Sequence, residues 1–307
     1  MEAGRLGLRP EAADLIARLH GDAGRRWLHE LPALVSHAER RWRLRVGAAY
    51  PGCTVAFVAP ARRLDGGLQV IKAVPGPDEA WREAAALEQW HGRLAPRLLE
   101  FDRERGILLL EAVEPGDAAE LRCPRDEWAR IAGGVARRLW AQSPAAGAGL
   151  PRVSAALRDW IDEIDAWRRR PGADSDLAAF GIEVGARLAG HDRAAIPVLV
   201  HGDLHPGNLL WDSSKGWVAI DPQPLFGDAA YDAGAVVRAV MPPSPTGSQA
   251  MTVVRSVAGA MGLDEEPVLG WGLLRHLMLS VRWISRGVTG IPADLTAARA
   301  LQAAATR

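Results

Sequence analysis

The sequence predicts an α+β chain of two unlike lobes, a strand-rich one followed by a helix-rich one. Three observations predict it. Between residues 42 and 113, short apolar or alternating runs are separated by Pro51, Gly52, Pro60, Gly66, Gly67 and Gly106, the pattern of antiparallel strands joined by turns. Beyond Gly116 the apolar residues recur mostly at helical spacing. Within that helical half, residues 198–232 break the period: two apolar runs, 198–200 and 217–220, each deliver polar side chains to a turn. Unlike lobes of this kind offer a natural cleft for a ligand.

Each element has its own warrant. Residues 11–42 read as two helices, with Leu15, Ile16 and Leu19 before Gly21 and Trp27, Leu28, Leu31, Leu34 and Val35 after it. Strands are expected at 42–48, 54–58 and 68–74, then a helix at 78–90 closed by Gly92. Two further strands follow at 97–101 and 107–113, around a turn at Arg105 and Gly106. The first domain is therefore expected at 1–113 and the second at 114–307, with Pro115 and Gly116 at the hinge. In the second, helices are expected at 125–141, 153–169, 177–189, 229–240, 248–261, 267–286 and 293–304, with MPPSPTG at 241–247 a loop.

Composition narrows the class of partner. At 48% hydrophobic and 24% charged residues the mix is globular, and a formal net charge of zero predicts neither a nucleic-acid nor a membrane surface. No uncharged apolar run approaches the roughly 18 residues of a membrane span. Cys53 and Cys123 have no Cys-x-x-Cys spacing, and Glu2, Arg5 and Arg9 leave no apolar signal core at the start. A cytoplasmic setting is the expectation.

The chemistry is concentrated in VLVHGDLHPGNLLWDSSKGWVAIDPQPLFGDAAYD, residues 198–232. Asp203 lies in a tight turn, where a carboxylate can accept a hydrogen bond from a substrate hydroxyl. Asn208 and Asp221 are hard oxygen donors of the kind Mg²⁺ takes when phosphates and water complete its octahedron. Together they ask for phosphoryl transfer from a magnesium nucleotide. Asn208 is the sole asparagine of the chain, although aspartate and serine are plentiful. Any one of these residues alone would serve a turn; the set at this spacing asks for more.

Other residues support or compete with that reading. Lys72, one of two lysines, lies in an apolar run, where a compact positive charge suits a phosphate oxygen and Glu83 on the next helix can pair with it. A lysine snorkelling from a strand edge beside a solvated Glu83 is the plainer alternative. The turn from Tyr50 to Thr54 offers backbone to cover phosphates, without a glycine-rich phosphate motif. His201 is expected to brace the catalytic loop, and Asp228 and Asp232, on a Gly-Asp turn entering a helix, to cap and brace that loop as well. Asp203-Leu204-His205 is similar to the opening of dinuclear metallophosphoesterases, but Leu209 and Leu210 stand where that family needs a histidine and an acid. No serine lies in a G-x-S-x-G turn.

GRRWLHELPALVSHAERRWRL, YPGCTVAFVAP, LQVIKAV, WREAAALEQW, GILLLEAVEPG, HGDLHPGNLL and WVAIDPQPLFGDAAYD occur in this order, and the likeness they mark extends over nearly the whole chain. They resemble the aminoglycoside phosphotransferases, and in particular the branch of streptomycin 6-kinases and hydroxyurea phosphotransferases. The resemblance implies a protein-kinase-like bilobal fold with ATP between the lobes. Asp203 would be the catalytic base, Asn208 and Asp221 the Mg²⁺ ligands, and Lys72 and Glu83 the phosphate-positioning pair. The backbone of Glu111 and Val113 would meet adenine. His201-Gly202-Asp203 and Asp221-Pro222 depart from the protein-kinase forms and argue for a small-molecule acceptor. Streptomycin is the leading acceptor, with a role in antibiotic resistance; hydroxyurea or another neutral metabolite is the alternative, and a non-catalytic nucleotide-binding module the alternative of another class. After Asp232 four acids face seven arginines, the wrong balance for a polycation, so Asp159, Asp162 and Glu163, which share a helix face, are the candidate acceptor residues.

Overall fold

The computed structural model describes residues 6–64, 66–143, 147–285 and 292–306. The chain divides into two compact units, Met1–Gly116 and Asp117–Arg307.

The first unit opens with α1 (Pro10–Trp42), which breaks at Gly21, where φ of 58° leaves the helical region. It is followed by β1 (Leu44–Val46), β2 (Phe57–Arg63), β3 (Leu68–Ala73), α2 (Pro77–Trp90), β4 (Leu98–Asp102) and β5 (Ile107–Glu111). The five strands form one antiparallel sheet in the order β1-β2-β3-β5-β4. Ile16, Trp27, Leu31 and Val35 of α1 join a core with Phe57, Ala59, Ala61, Ile71, Ile107 and Leu109 of the sheet. Burying a side chain such as Phe57 stabilises the unit by about 1.5–3 kcal/mol. Because strand side chains alternate, Lys72 faces away from Ile71, to the side of the sheet it shares with its cross-strand partner Leu108.

The second strand lies later than expected, at 57–63 rather than 54–58. Pro60 had looked like a strand breaker, yet it pairs with Val70 in mid-strand. Its carbonyl accepts from Gly47 N at 2.8 Å, just past the last β1 pair, Val46 with Ala61, so its missing N–H forfeits no bond of the β1 ladder.

The chain enters the second unit through β6 (Pro115–Ala118) and α3 (Ala119–Arg122), followed by α4 (Trp128–Trp140), α5 (Val153–Arg168), α6 (Ser175–Ala194) and β7 (Val198–Val200). Next come β8 (Leu209–Asp212), β9 (Gly216–Ala219), β10 (Leu225–Gly227), α7 (Ala230–Val240), α8 (Gly247–Met261), α9 (Glu265–Ser285) and α10 (Pro292–Ala305). Arg286, the expected end of the helix that is α9, lies outside the described residues. The two apolar runs around the site do not pair with each other: β7 pairs with β10, and β9 with β8. β8 was not expected, because 209–212 reads as the tail of a polar turn. Asp212 supplies the tight turn after it, its Oδ1 accepting from Ser214 N, Ser214 Oγ and Lys215 N. Trp211 then meets Trp217 edge-on across the hairpin, with ring centroids 5.3 Å apart.

Candidate functional site

In the first unit, α2 begins with Pro77 followed by Asp78 and Glu79, a favourable first turn, and ends at His91 in the left-handed region before Gly92. Its apolar face is Ala80, Ala84, Leu87 and Trp90, and Glu83 lies on that face. Glu83 is thus brought to Lys72 of β3, Oε2 to Nζ 2.6 Å, with both residues about 5–6% exposed. A pair this buried is not two solvated surface charges. Thr54 is exposed in the loop before β2, and Glu111 and Val113 are half-buried at the end of β5 and beyond it. The Glu111 N–H donates to Arg97 O at 2.9 Å.

In the second unit, two turns of backbone are bound to each other. His201 Nε2 meets Ile220 O at 3.0 Å, Gln223 N donates to His201 O at 2.8 Å, and Ile220 N donates to Asn208 O at 2.9 Å. Asp203, Asn208 and Asp221 therefore stand on adjoining segments. Gly202 makes the approach possible: with φ of 84° it occupies the left-handed region, and a Cβ there would lie 1.9 Å from the Gln223 carbonyl oxygen. Asp221 is held at a φ of 56°, rare for a residue with a Cβ, a backbone state that costs of order 1–3 kcal/mol and persists only where the surroundings enforce it.

The loop hangs on Asp232 of α7. Its Oδ2 accepts from His201 N at 3.0 Å and from Trp140 Nε1 at 2.9 Å, and its Oδ1 from Gly202 N at 2.7 Å. Burial pushes the Asp232 carboxyl up, against the pull of these hydrogen bonds, and burial pushes the His201 imidazole down, so His201 stays neutral. Neutral His201 accepts from Asp203 N through Nδ1 at 3.3 Å. Asp228 accepts from Ala230 N at 2.9 Å in the turn entering α7; its other oxygen meets His191 Nδ1 at 2.8 Å.

The Asp203 carboxylate is one-fifth exposed. Its Oδ1 accepts from Arg275 of α9, while Oδ2 lies 3.8 Å from His205 Nε2. The same guanidinium donates to Gly202 O at 3.3 Å and lies 6.0 Å from the Trp160 ring. On α5, Asp159 and Asp162 are exposed, whereas Glu163 accepts a bidentate pair of bonds from Arg282 at 3.1 and 2.9 Å.

Among the described residues no three His, Cys, Asp or Glu side chains converge to hold a metal by themselves. The dinuclear hydrolase alternative has no ligand cluster there. An amide and a carboxylate do fit a cation that shares phosphate oxygens. Asn208 donates through Nδ2 to Asp203 O at 3.0 Å, which fixes the amide and leaves its oxygen as the hard donor.

The family model described as aminoglycoside/hydroxyurea antibiotic resistance kinase matches residues 41–287. The chain belongs to this family. The hydroxyurea phosphotransferase of Kitasatospora aureofaciens is 33% identical over 296 residues, 92% of this chain and 82% of that one. The streptomycin 6-kinase of Streptomyces glaucescens is 30% identical over 296 residues, 93% and 94% of the two chains. Among solved structures, amicoumacin kinase hAmiN in complex with AMP-PNP, Ca2+ and Ami matches with a TM-score of 0.61 at 12% identity, over 92% of this chain and 95% of that one. At that identity the likeness is one of fold, and the fold is the α+β protein-kinase-like one. A member of this kinase family is a small-molecule phosphotransferase. No helix among the described residues is long and apolar enough to cross a membrane.

Three features of this kinase escaped the sequence reading. Trp140 and His191, the side-chain partners of Asp232 and Asp228, lie 92 and 37 positions away, so no local pattern marks them. Arg275 had a usable signal. It stands between the buried Leu273, Leu274 and Leu277, the same charge-in-an-apolar-run anomaly that marks Lys72.

Proposed function

We propose that this kinase is an ATP-dependent O-phosphotransferase that moves the γ-phosphoryl group to a hydroxyl of a small molecule. The observation that carries the reading is the bonding of the 201–203 loop to the 220–223 turn, with the sole asparagine beside both. In this reading the Asp203 carboxylate takes the acceptor's hydroxyl proton as the oxygen bonds to the γ-phosphorus; the bond to the β-phosphate oxygen breaks and ADP leaves. Asn208 and Asp221 hold Mg²⁺, which supplies charge stabilisation to the phosphate oxygens when bound. Lys72, aligned by Glu83, meets a nucleotide phosphate as a point charge. Thr54 and the backbone at Glu111 and Val113 are further nucleotide contacts. His201, Asp228 and Asp232 hold the loop in place.

Streptomycin is one acceptor reading, supported by the relative at 30% identity and placing Asp159, Asp162 and Glu163 against a cation. A specific observation favours a second, neutral acceptor such as hydroxyurea: Glu163 already has its charge answered by Arg282. The experiment is a transfer assay with Mg-ATP and a panel of streptomycin, other aminoglycosides, hydroxyurea and neutral cyclitols, with products weighed by mass spectrometry. Phosphorylated streptomycin supports the resistance reading, and a neutral phosphorylated product the second. ATP binding with no product from any acceptor would sink the proposal in favour of a non-catalytic nucleotide-binding module.

A further inference from the structure

We infer that Arg275 is a positioning residue for Asp203, and that by answering the Asp203 charge it makes the acceptor position one for an uncharged molecule. The inference rests on Asp203 being the base proposed above. Asp203 follows a glycine in a loop, with no helix or strand to fix its side chain, whereas a catalytic carboxylate has to be held to within about 0.5 Å. The Asp232 and His201 bonds fix the backbone of that loop. Arg275 addresses the carboxylate itself, by binding Oδ1, which leaves Oδ2 to meet the acceptor hydroxyl.

Arg275 is a fixed mount rather than a swinging arm. Its backbone belongs to α9, between buried leucines, and its guanidinium is held by the Gly202 carbonyl and lies near the Trp160 ring; none of these contacts depends on an acceptor. Trp160 is itself packed with Tyr231 and Trp271, with centroids 5.6 and 6.1 Å away, so the platform is rigid. The side chain is 15% exposed, which limits screening of its charge by water. Arg275 answers the charge of Asp203, so an acceptor cation brought there would find no spare negative charge in the pair, whereas a neutral hydroxyl needs only Oδ2 as its acceptor.

The test compares wild type with Arg275→Gln, Arg275→Lys, Asp203→Asn and the Asp203→Asn/Arg275→Gln double variant, all with Mg-ATP. The acceptors are water, hydroxyurea, a neutral cyclitol and streptomycin. Arg275→Gln should lower kcat roughly 10- to 100-fold, the effect of a small misplacement of a reacting group, with KM for ATP unchanged. Arg275→Lys should restore part of that loss. The double variant should be no slower than Asp203→Asn, because the effect passes through the carboxylate. Wild type should use the neutral acceptors better than streptomycin, and Arg275→Gln should narrow that preference. If Asp203→Asn is slow while Arg275→Gln turns over like wild type, the inference fails and the phosphotransferase reading stands. Independent, multiplying losses in the double variant overturn it as well, as does a wild-type preference for streptomycin. Asp203→Asn at full rate, or a wild type that transfers phosphate to none of these acceptors, removes the parent reading and this one with it.

Discussion

The two units each bury charged side chains, and they answer them differently. In the first, Lys72 meets the carboxylate of Glu83, charge against charge, between a strand and a helix. In the second, Asp232 meets two backbone N–H groups and an indole N–H, dipoles gathered from a loop and a helix. A charge pair is a contract between two side chains and can be dissolved by changing both. Backbone dipoles cannot be substituted away, so the carboxylate that collects them is tied to the path of the chain. The first arrangement aims a cation; the second fixes a turn.

Substitutions separate the two. Asp203→Asn should give the largest effect, lowering turnover by about 10²-fold or more, the usual weight of a general base, while leaving nucleotide binding and the Asp232 bonds intact. Equal turnover of mutant and wild type would take Asp203 out of the mechanism. Next in size, Asp232→Ala leaves three donors without an acceptor and should lose about 4 kcal/mol or more in a denaturant titration, at roughly 1–3 kcal/mol for each buried unsatisfied group. No second substitution should rescue it.

Lys72→Met should cost about 3 kcal/mol by stranding the Glu83 carboxylate, and the double variant Lys72→Met/Glu83→Leu should recover most of that stability. Nucleotide affinity, followed by calorimetry, should stay low in both. Rescue of binding along with stability would mean that Lys72 has only a structural part.

The smallest effect is one of pH. Burial holds His201 and His276 below their ordinary value of 6.5. The unfolded chain takes up protons near that pH that the folded chain refuses, so this contribution to stability is complete above about 6.5 and falls as the pH drops from there toward the folded values. The melting temperature should decline between about pH 7 and pH 5, and His276→Gln should flatten part of the decline. Parallel curves for the two proteins would place the titration elsewhere.

The residues that could be found in the sequence share one property: each is anomalous in its own neighbourhood. Lys72 is a lysine in an apolar strand, Asn208 an amide in a chain that otherwise avoids it, and Asp221 the polar end of an apolar run. The helices were legible for a related reason, since their period is written locally; α5, expected at 153–169, spans Val153–Arg168. What stayed hidden depends on a distant partner. β8 is a strand because β9 comes back along it, and Pro60 is tolerated in β2 because the β1 ladder has ended beside it. Counting charges along the sequence likewise missed that Glu163 is bound by Arg282 and that Arg275 reaches Asp203, each pairing spanning two helices or a helix and a loop.

Gly202 carries a consequence for how this kinase can change over generations. With a carbonyl oxygen 1.9 Å from where a Cβ would stand, there is no room for even the smallest side chain. The position is closed to drift: a saturated library selected for activity should return glycine at 202, whatever acceptor is used in the selection. Under the acceptor reading proposed above, novelty in substrate choice comes instead from codons such as those for the exposed Asp159 and Asp162 on α5, where a change leaves the two bonded turns untouched.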